Sequence, residues 1–131
     1  MTMKPMQLSS ERMENDIVRI TRCFPSAMEE QVRKVVRILS IEKSGCIHAG
    51  SFSLQFHGEK LEFPYRVYFN EPRNTLEKDL TEEEKVILDC IFLLHHNGHI
   101  RQRRLERLVD KTQAYIIPFT FQLLGEYVKE I

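Results

Sequence analysis

The chain has no tryptophan, only five glycines and only three cysteines among its 131 residues. So few glycines leave no glycine-rich loop of the kind that cradles phosphate groups. Cys23, Cys46 and Cys90 are odd in number and lack CxxC spacing, which argues against a disulfide framework and against a paired-cysteine zinc site. We therefore expect reduced thiols in a cytoplasmic protein.

Long apolar runs and an excess of charge of either sign are also missing. No stretch reaches the roughly 18 uncharged apolar residues of a membrane span, and the first residues lack the apolar core of a secretory signal. Lys plus Arg and Asp plus Glu each total 19, so the net charge is zero, unlike that of typical nucleic-acid coats or membrane-surface proteins. The length fits a single domain over 1–131.

An almost strict alternation of apolar and polar residues runs from Gly50 to Phe69. Its apolar members are Phe52, Leu54, Phe56, Leu61, Phe63, Tyr65, Val67 and Phe69. Because successive strand residues point to opposite faces, this pattern predicts a β-hairpin over 46–69 with one apolar face, which helices must cover.

The turn of this hairpin has two candidate forms, and both place Phe56 opposite Leu61. One is a two-residue turn at Gly58–Glu59, and the other is a four-residue loop over 57–60. We favour the loop because it places Pro64, which has no N–H group, on the outer edge of its strand.

Helical patterns lie on both sides of the hairpin. The segment 1–45 is predicted to be a helical pair, broken at Pro25, with a capping box of Ser26 and Glu29 and a left-handed stop at Gly45. The segment 70–80 has no periodicity and is predicted to be a linker.

The segment 81–131 is predicted to be a C-terminal helical subdomain. A capping box of Thr81 and Glu84 opens a nearly all-apolar, central helix that ends at Asn97–Gly98. A shorter helix over 100–109 and a last helix from about Pro118 follow. The fold class is therefore α+β and mostly helical, in the order helix–helix–β-hairpin–helix–helix–helix, with the hairpin packed on the helices.

A basic cluster lies on the helix over 100–109, formed by Arg101, Arg103, Arg104 and Arg107. We expect these side chains to be exposed, since no acidic run nearby is placed to neutralise all of them. Arginine is favoured at protein interfaces, so they are candidate contacts for an acidic protein partner. Phosphate groups of a nucleic acid are the alternative ligand. The outline resembles a helix-turn-helix unit, but its third helix reads IIPFTF over 116–121, without polar side chains for base edges.

The last helix carries two apolar rows, Phe119–Leu123–Tyr127 and Phe121–Leu124–Val128. Since both rows cannot face the same core direction, we expect one to remain partly uncovered. Phe121, Leu124 and Val128 are therefore candidate contacts for another protein, or for a second copy of the chain in a homodimer.

Signatures of catalysis and of metal binding are missing from the sequence. No serine lies in GxSxG, and His95, His96 and His99 occur without an HExxH pattern. We expect these histidines to interact with a helix C-terminus instead. We predict no enzyme activity, no cofactor and no metal.

The predicted function is a small, non-catalytic, cytoplasmic protein-binding module, for example an immunity or antitoxin protein that blocks a partner. The alternative is a nucleic-acid-associated regulator that uses the helix over 100–109.

Overall fold

The computed structural model describes residues 5–121 and 123, with side chains from residue 10 onward. Within these residues the helices are α1 (Pro5–Thr21), α2 (Glu29–Glu42), α3 (Asn74–Lys78), α4 (Glu82–Phe92) and α5 (Gly98–Leu108). Strands β1 (Ser51–Phe56) and β2 (Glu59–Pro64) form an antiparallel hairpin. Short 3-10 turns lie at Ser26–Met28 and Ala114–Ile116, and residues 117–121 are helical again. The predicted α+β class and element order are confirmed.

Helix α1 packs against α2 and against β2. Ile17 and Ile20 of α1, and Phe24 just beyond it, are at most 2% exposed. The predicted capping box of Ser26 and Glu29 is wrong. Ser26 begins a 3-10 turn that precedes α2 and has no side-chain cap. The Ser26 N–H donates instead to the side chain of Glu59 on the hairpin.

Gly45 adopts the predicted left-handed conformation, with φ of 68°. It does not end α2, however, because the helix already ends at Glu42 and Lys43 is its C-cap. Gly45 lies in the loop that leads to the hairpin. Its N–H donates to the buried carboxylate of Asp16, which also accepts from the Ser40 hydroxyl. Burial raises the pKa of Asp16, and these two donors oppose that rise.

The hairpin pairs in a register that differs from both predicted forms. Leu54 faces Leu61 and Phe56 faces Glu59, so the turn consists of His57 and Gly58. Their φ values are 49° and 82°, the two positive angles of a type I′ turn, whose twist matches that of paired strands. The expected pairing of Phe56 with Leu61 is wrong because His57, rather than Gly58, is the first turn residue.

Pro64 nevertheless lies on the outer edge of β2, as predicted. Glu62, two residues earlier on the same edge, donates its N–H away from β1 to the carbonyl oxygen of Arg22 at 2.9 Å. This edge therefore faces the end of α1, and the missing N–H of Pro64 removes no bond from the β1–β2 ladder.

The apolar face of the hairpin is buried mainly along β2 and the residues that follow it. Leu61, Phe63, Val67 and Phe69 are at most 2% exposed, whereas Tyr65 is 43% exposed. The prediction that this whole series is mostly buried is wrong for Tyr65, because the strand ends at Pro64 and the chain bends there. Val67 then resumes pairing, with single bridges to Ile47 and His95.

Helix α4 is the centre of the hydrophobic core, as predicted. Every residue from Val86 to Leu94 is at most 5% exposed. The capping box of Thr81 and Glu84 is present. The predicted helix end at Asn97–Gly98 is wrong, since α4 ends at Phe92. Asn97 instead caps the start of α5, where its side-chain oxygen accepts the N–H of His99.

The predicted linker contains the short helix α3 and lies across the molecule without entering the core. Phe69 and Leu80 are buried, at 1% and 7% exposure, but no residue between them is. Leu76 of α3 is 40% exposed. We call residues 70–79 the strap.

Candidate functional site

Helix α5 does not carry the fully exposed arginine face that the sequence predicts. Its inward positions are Leu108, which is 4% exposed, and Arg104, which is 2% exposed. Val109, the first residue after the helix, is 80% exposed. The expectation of an exposed Arg104 is therefore wrong.

Three carboxylates from three segments surround the guanidinium of Arg104. Its Nη1 donates to Asp89 of α4 at 2.9 Å and to Glu77 of α3 at 2.8 Å. Its Nε and Nη2 donate to one oxygen of Glu71 at 3.3 and 3.1 Å. Its carbon lies 4.8 Å from the ring centre of Phe92, so the cation also interacts with an aromatic face.

The two neighbouring arginines share the same carboxylates at the surface. Arg103 contacts the second oxygen of Glu71 at 3.1 Å, and Arg107 contacts Glu77 at 2.6 Å and Asp89 at 3.5 Å. The side chains of Arg103 and Arg107 remain 53% and 47% exposed. We call these six groups the ionic cluster: Arg103, Arg104, Arg107, Glu71, Glu77 and Asp89.

The pKa directions show which members of the ionic cluster are stabilised as ions. Burial opposes the charge of Arg104, but its bond to Asp89 and the nearby carboxylates outweigh burial and raise its pKa. Burial likewise pushes the pKa of Glu71 up, yet Arg103 and Arg104 bring it below its ordinary value. For Asp89, burial raises the pKa despite the two arginines. Burial of Asp89 thus outweighs the charge of its arginine partners.

Arg101, the fourth predicted arginine, lies one turn earlier and serves a different contact. Its Nη1 donates to the carbonyl oxygens of His95 and His96 at 2.9 and 3.3 Å, beyond the end of α4. It therefore ties the start of α5 to the corner between the two helices. The structure brings Arg103, Arg104 and Arg107 into one cluster and leaves Arg101 outside it.

A groove of about 640 Å³ lies beside the ionic cluster, between α3, α4 and the end of α5. Glu77, Asp89 and Arg107 of the ionic cluster contribute to its lining. The rest of the lining combines the basic Lys78, Lys85 and Lys111 and the acidic Glu82, Glu106 and Asp110 with Asn74, Val86 and Val109. The mixture of signs suits a polypeptide with both apolar and charged side chains better than a polyphosphate chain.

The described members of the two apolar rows of the last helix lie in different environments. Phe119 and Leu123 are buried, at 1% and 8% exposure, and Phe119 packs its ring 5.0 Å from that of Phe63. Phe121 is 52% exposed. Leu124, Tyr127 and Val128 lie outside the described residues.

The three histidines occupy different environments. His95 is buried; its Nδ1 accepts the N–H of Asn97, and its Nε2 lies 2.9 Å from the carbonyl oxygen of Phe69. An acceptor Nδ1 leaves Nε2 as the donor in a neutral ring, and burial lowers the pKa of His95 accordingly. His96 and His99 are exposed. Among the described residues, no group of three or more His, Cys, Asp or Glu side chains is placed to hold a metal ion.

Sequence reasoning missed Glu71, Glu77 and Asp89 as partners of the arginines. One signal was available, since Asp89 is the single charged residue between Val86 and Leu94. A carboxylate on a buried helix needs a cation partner, and the arginines of the next helix are candidates for that role. Nothing in the linker singled out Glu71 or Glu77 among its other charges.

Comparison of the chain with protein-family models, with curated proteins and with solved structures gives no match. Within the described residues, the structure contains no helix that is long and apolar enough to span a membrane.

Proposed function

We propose that the chain is a non-catalytic protein-binding module that recognises acidic side chains of its partner through α5. The observation that carries this proposal is the state of Arg103 and Arg107. Each guanidinium is positioned by a carboxylate of the strap, while about half of each side chain remains exposed, at 53% and 47%. Side chains that are already ordered lose less entropy on binding, and arginine is enriched at protein interfaces.

Charge balance favours a protein over a nucleic acid as the partner. The ionic cluster contains as many carboxylates as guanidinium groups, and Glu106 lies on the same helix. Affinity for nucleic acid grows with the number of phosphates that cations neutralise. A cluster of zero net charge provides little of that energy, whereas individual arginines still bind individual carboxylates.

In its most specific form, the proposal is a cytoplasmic immunity or antitoxin protein that blocks its partner. The small size of the chain and the lack of a recognisable catalytic motif support this form. The cytoplasmic location is supported by Cys23, Cys46 and Cys90, which are free and buried, as is usual where thiols stay reduced. Burial also raises the pKa of Cys46 to about 11, which keeps its thiol unreactive.

The last helix supports a second, apolar contact. Phe121 is half-exposed while Phe119 is buried, so the described part of this helix presents one aromatic side chain outside the core. We propose that Phe121 contacts the partner protein or a second copy of the chain.

The test compares two double variants with the same loss of charge. Arg103→Ala/Arg107→Ala removes the proposed contacts, and Arg33→Ala/Arg37→Ala removes two arginines from α2 as the control. Each protein is used as bait in lysate of the source cells, captured proteins are identified by mass spectrometry, and the affinity of a purified partner is measured by calorimetry. We expect wild type and control to bind equally and the α5 variant to bind at least about tenfold more weakly, the range of an interface hot spot.

Two results would contradict the proposal. One is an identified partner whose affinity is unaffected by Arg103→Ala/Arg107→Ala. The other is salt-sensitive binding of duplex DNA or single-stranded RNA that this variant abolishes, which would establish the nucleic-acid alternative. For the immunity form, co-expression with the identified partner must also relieve the partner's toxicity.

A further inference from the structure

We propose that the strap is an autoinhibitory segment. Its Glu71 and Glu77 occupy the carboxylate-binding face of α5, and an acidic segment of the partner displaces them. This inference rests on the proposed function, because it concerns the regulation of the same surface.

The first observation is that charge, not apolar packing, holds the strap. No strap residue is buried, and Leu76, its large apolar side chain, is 40% exposed. Ion pairs link the strap to the rest of the described molecule. They are Glu71 and Glu77 with the arginines of α5, and Arg73 with Glu42 at 3.8 Å. Segments with little buried apolar surface open at a small cost in free energy.

The second observation is that the strap is anchored at both ends. Phe69 and Leu80 are buried in the core, at 1% and 7% exposure, so the segment between them can leave the surface without unfolding what flanks it. Because it stays attached, its carboxylates keep a high effective concentration beside α5. A partner must therefore compete with an intramolecular ligand.

The third observation is the way in which α5 binds the two strap carboxylates. Each oxygen of Glu71 lies 3.1 Å from a different guanidinium, one of Arg103 and one of Arg104. One oxygen of Glu77 is shared by Arg104 and Arg107, at 2.8 and 2.6 Å. Such charge-assisted, multiply bonded contacts are those by which arginines recognise carboxylates of other chains. The strap thus shows the chemistry of the ligand that would replace it, which is a polypeptide with two or more nearby carboxylates.

The fourth observation explains how the strap can leave without stranding a buried charge. Asp89 belongs to α4, not to the strap, and it contacts Arg104 at 2.9 Å. Arg104 therefore keeps one carboxylate partner in the open state. Leaving a buried charge without any partner is what makes the rupture of an ion pair costly.

The experiment removes the charge of the two strap carboxylates that contact α5 while it preserves the shape of their side chains. Glu71→Gln/Glu77→Gln keeps an acceptor oxygen at each position, and Glu82→Gln/Glu106→Gln is the control with the same charge change. The control residues contact Lys85 and Gln102 and none of the arginines of the ionic cluster. The probe is a labelled hexaglutamate peptide, whose affinity is measured by fluorescence anisotropy at low salt. Amide hydrogen exchange of the strap is measured on the same proteins, and circular dichroism verifies that they are folded.

We expect Glu71→Gln/Glu77→Gln to bind the peptide about 5- to 150-fold more tightly than wild type, which is the usual range of coupling between two binding events. The control variant should stay close to wild type. In wild type, strap amides should exchange faster when the peptide is bound and when salt is raised, since both release the strap.

The outcomes separate this inference from the proposed function. One outcome is that wild type and Glu71→Gln/Glu77→Gln bind the peptide equally, while Arg103→Ala/Arg107→Ala binds it more weakly than both. In that case α5 binds acidic chains but the strap does not compete with them, and the autoinhibition is overturned. If peptide affinity does not depend on Arg103 and Arg107 at all, the proposed function fails first. Strap exchange that responds neither to salt nor to peptide also overturns the inference, without the use of any variant.

Discussion

Replacement of Arg104 by alanine tests how much the ionic cluster contributes to stability. The side chain is 2% exposed, and the change leaves behind two carboxylates with little access to water. Asp89 and Glu77 have side-chain exposures of only 7% and 15%. The cost of the substitution therefore lies less in the contacts that are lost than in the buried carboxylate of Asp89 that remains.

The expected magnitude follows from burial. Removal of one partner of a buried ion pair destabilises a protein by about 3–5 kcal/mol, whereas an exposed pair is worth about 0–1 kcal/mol. We expect Arg104→Ala to lie in the first range and Arg103→Ala in the second. If Arg103 and Arg104 both lay on a solvated face, Arg103→Ala/Arg104→Ala would change the stability very little. The structure replaces that prediction with a loss of about 3–5 kcal/mol, carried by Arg104.

The pH dependence of Arg104→Ala provides a second signature. Burial already raises the pKa of Asp89 above its ordinary value of 3.8, and two arginines oppose that rise. Without Arg104 the pKa must rise further, so the folded variant binds a proton that the unfolded chain does not. A raised carboxyl pKa favours the folded state at low pH. The gap in unfolding free energy between wild type and variant should thus narrow as pH falls.

Urea denaturation followed by circular dichroism measures these differences. Arg104→Met/Asp89→Asn, which neutralises both groups, should recover part of the loss, because contacting residues are non-additive by about 0.5–3 kcal/mol. If Arg104→Ala is no more destabilising than Arg103→Ala, the guanidinium is not needed to compensate Asp89. The burial argument is then refuted.

Three further predictions concern the core, the start of α4 and the last helix. Ile91 is fully buried, so Ile91→Ala should cost about 2–5 kcal/mol, and a loss below about 0.5 kcal/mol in urea would show that α4 is peripheral. The N–H of Thr81 and the ammonium of Lys34 hold the pKa of Glu84 below its ordinary 4.5. The stability difference between wild type and Glu84→Gln should therefore be present above that pH and disappear as pH falls through the lower folded pKa; a pH-independent difference would contradict this. If the last helix pairs two copies, light scattering over a wide concentration range should detect a dimer that Leu124→Glu abolishes, and a strict monomer at every concentration would rule the dimer out.

The sequence predicts the architecture well because local patterns determine most of it. The apolar alternation predicts the two strands, the capping box places the start of α4 at Thr81, and the apolar run after it indicates its burial. The hairpin register was missed because it depends on His57 accepting a positive φ of 49°. Few residues other than glycine do so readily, and no pattern in the strands requires it.

The ionic cluster could not be predicted because its members come from separate segments. Glu71 and Arg104 are 33 residues apart, and only the tertiary fold brings them together. Helical spacing correctly places the arginines on α5, but it does not show which way each one faces. Arg104 occupies an inward position that an apolar residue usually fills, and three carboxylates compensate it there. Apart from the lone charge of Asp89 in the apolar run of α4, compensation of this kind leaves no local trace in the sequence.

The contact between Phe63 and Phe119 has a consequence for synthesis on the ribosome. The hairpin ring is fully buried, partly beneath a ring that follows it by 56 residues. At translation rates of about 5–20 residues per second, the nascent hairpin waits roughly 3–11 s for that cover. Throughout this interval its apolar face is a natural site for a chaperone.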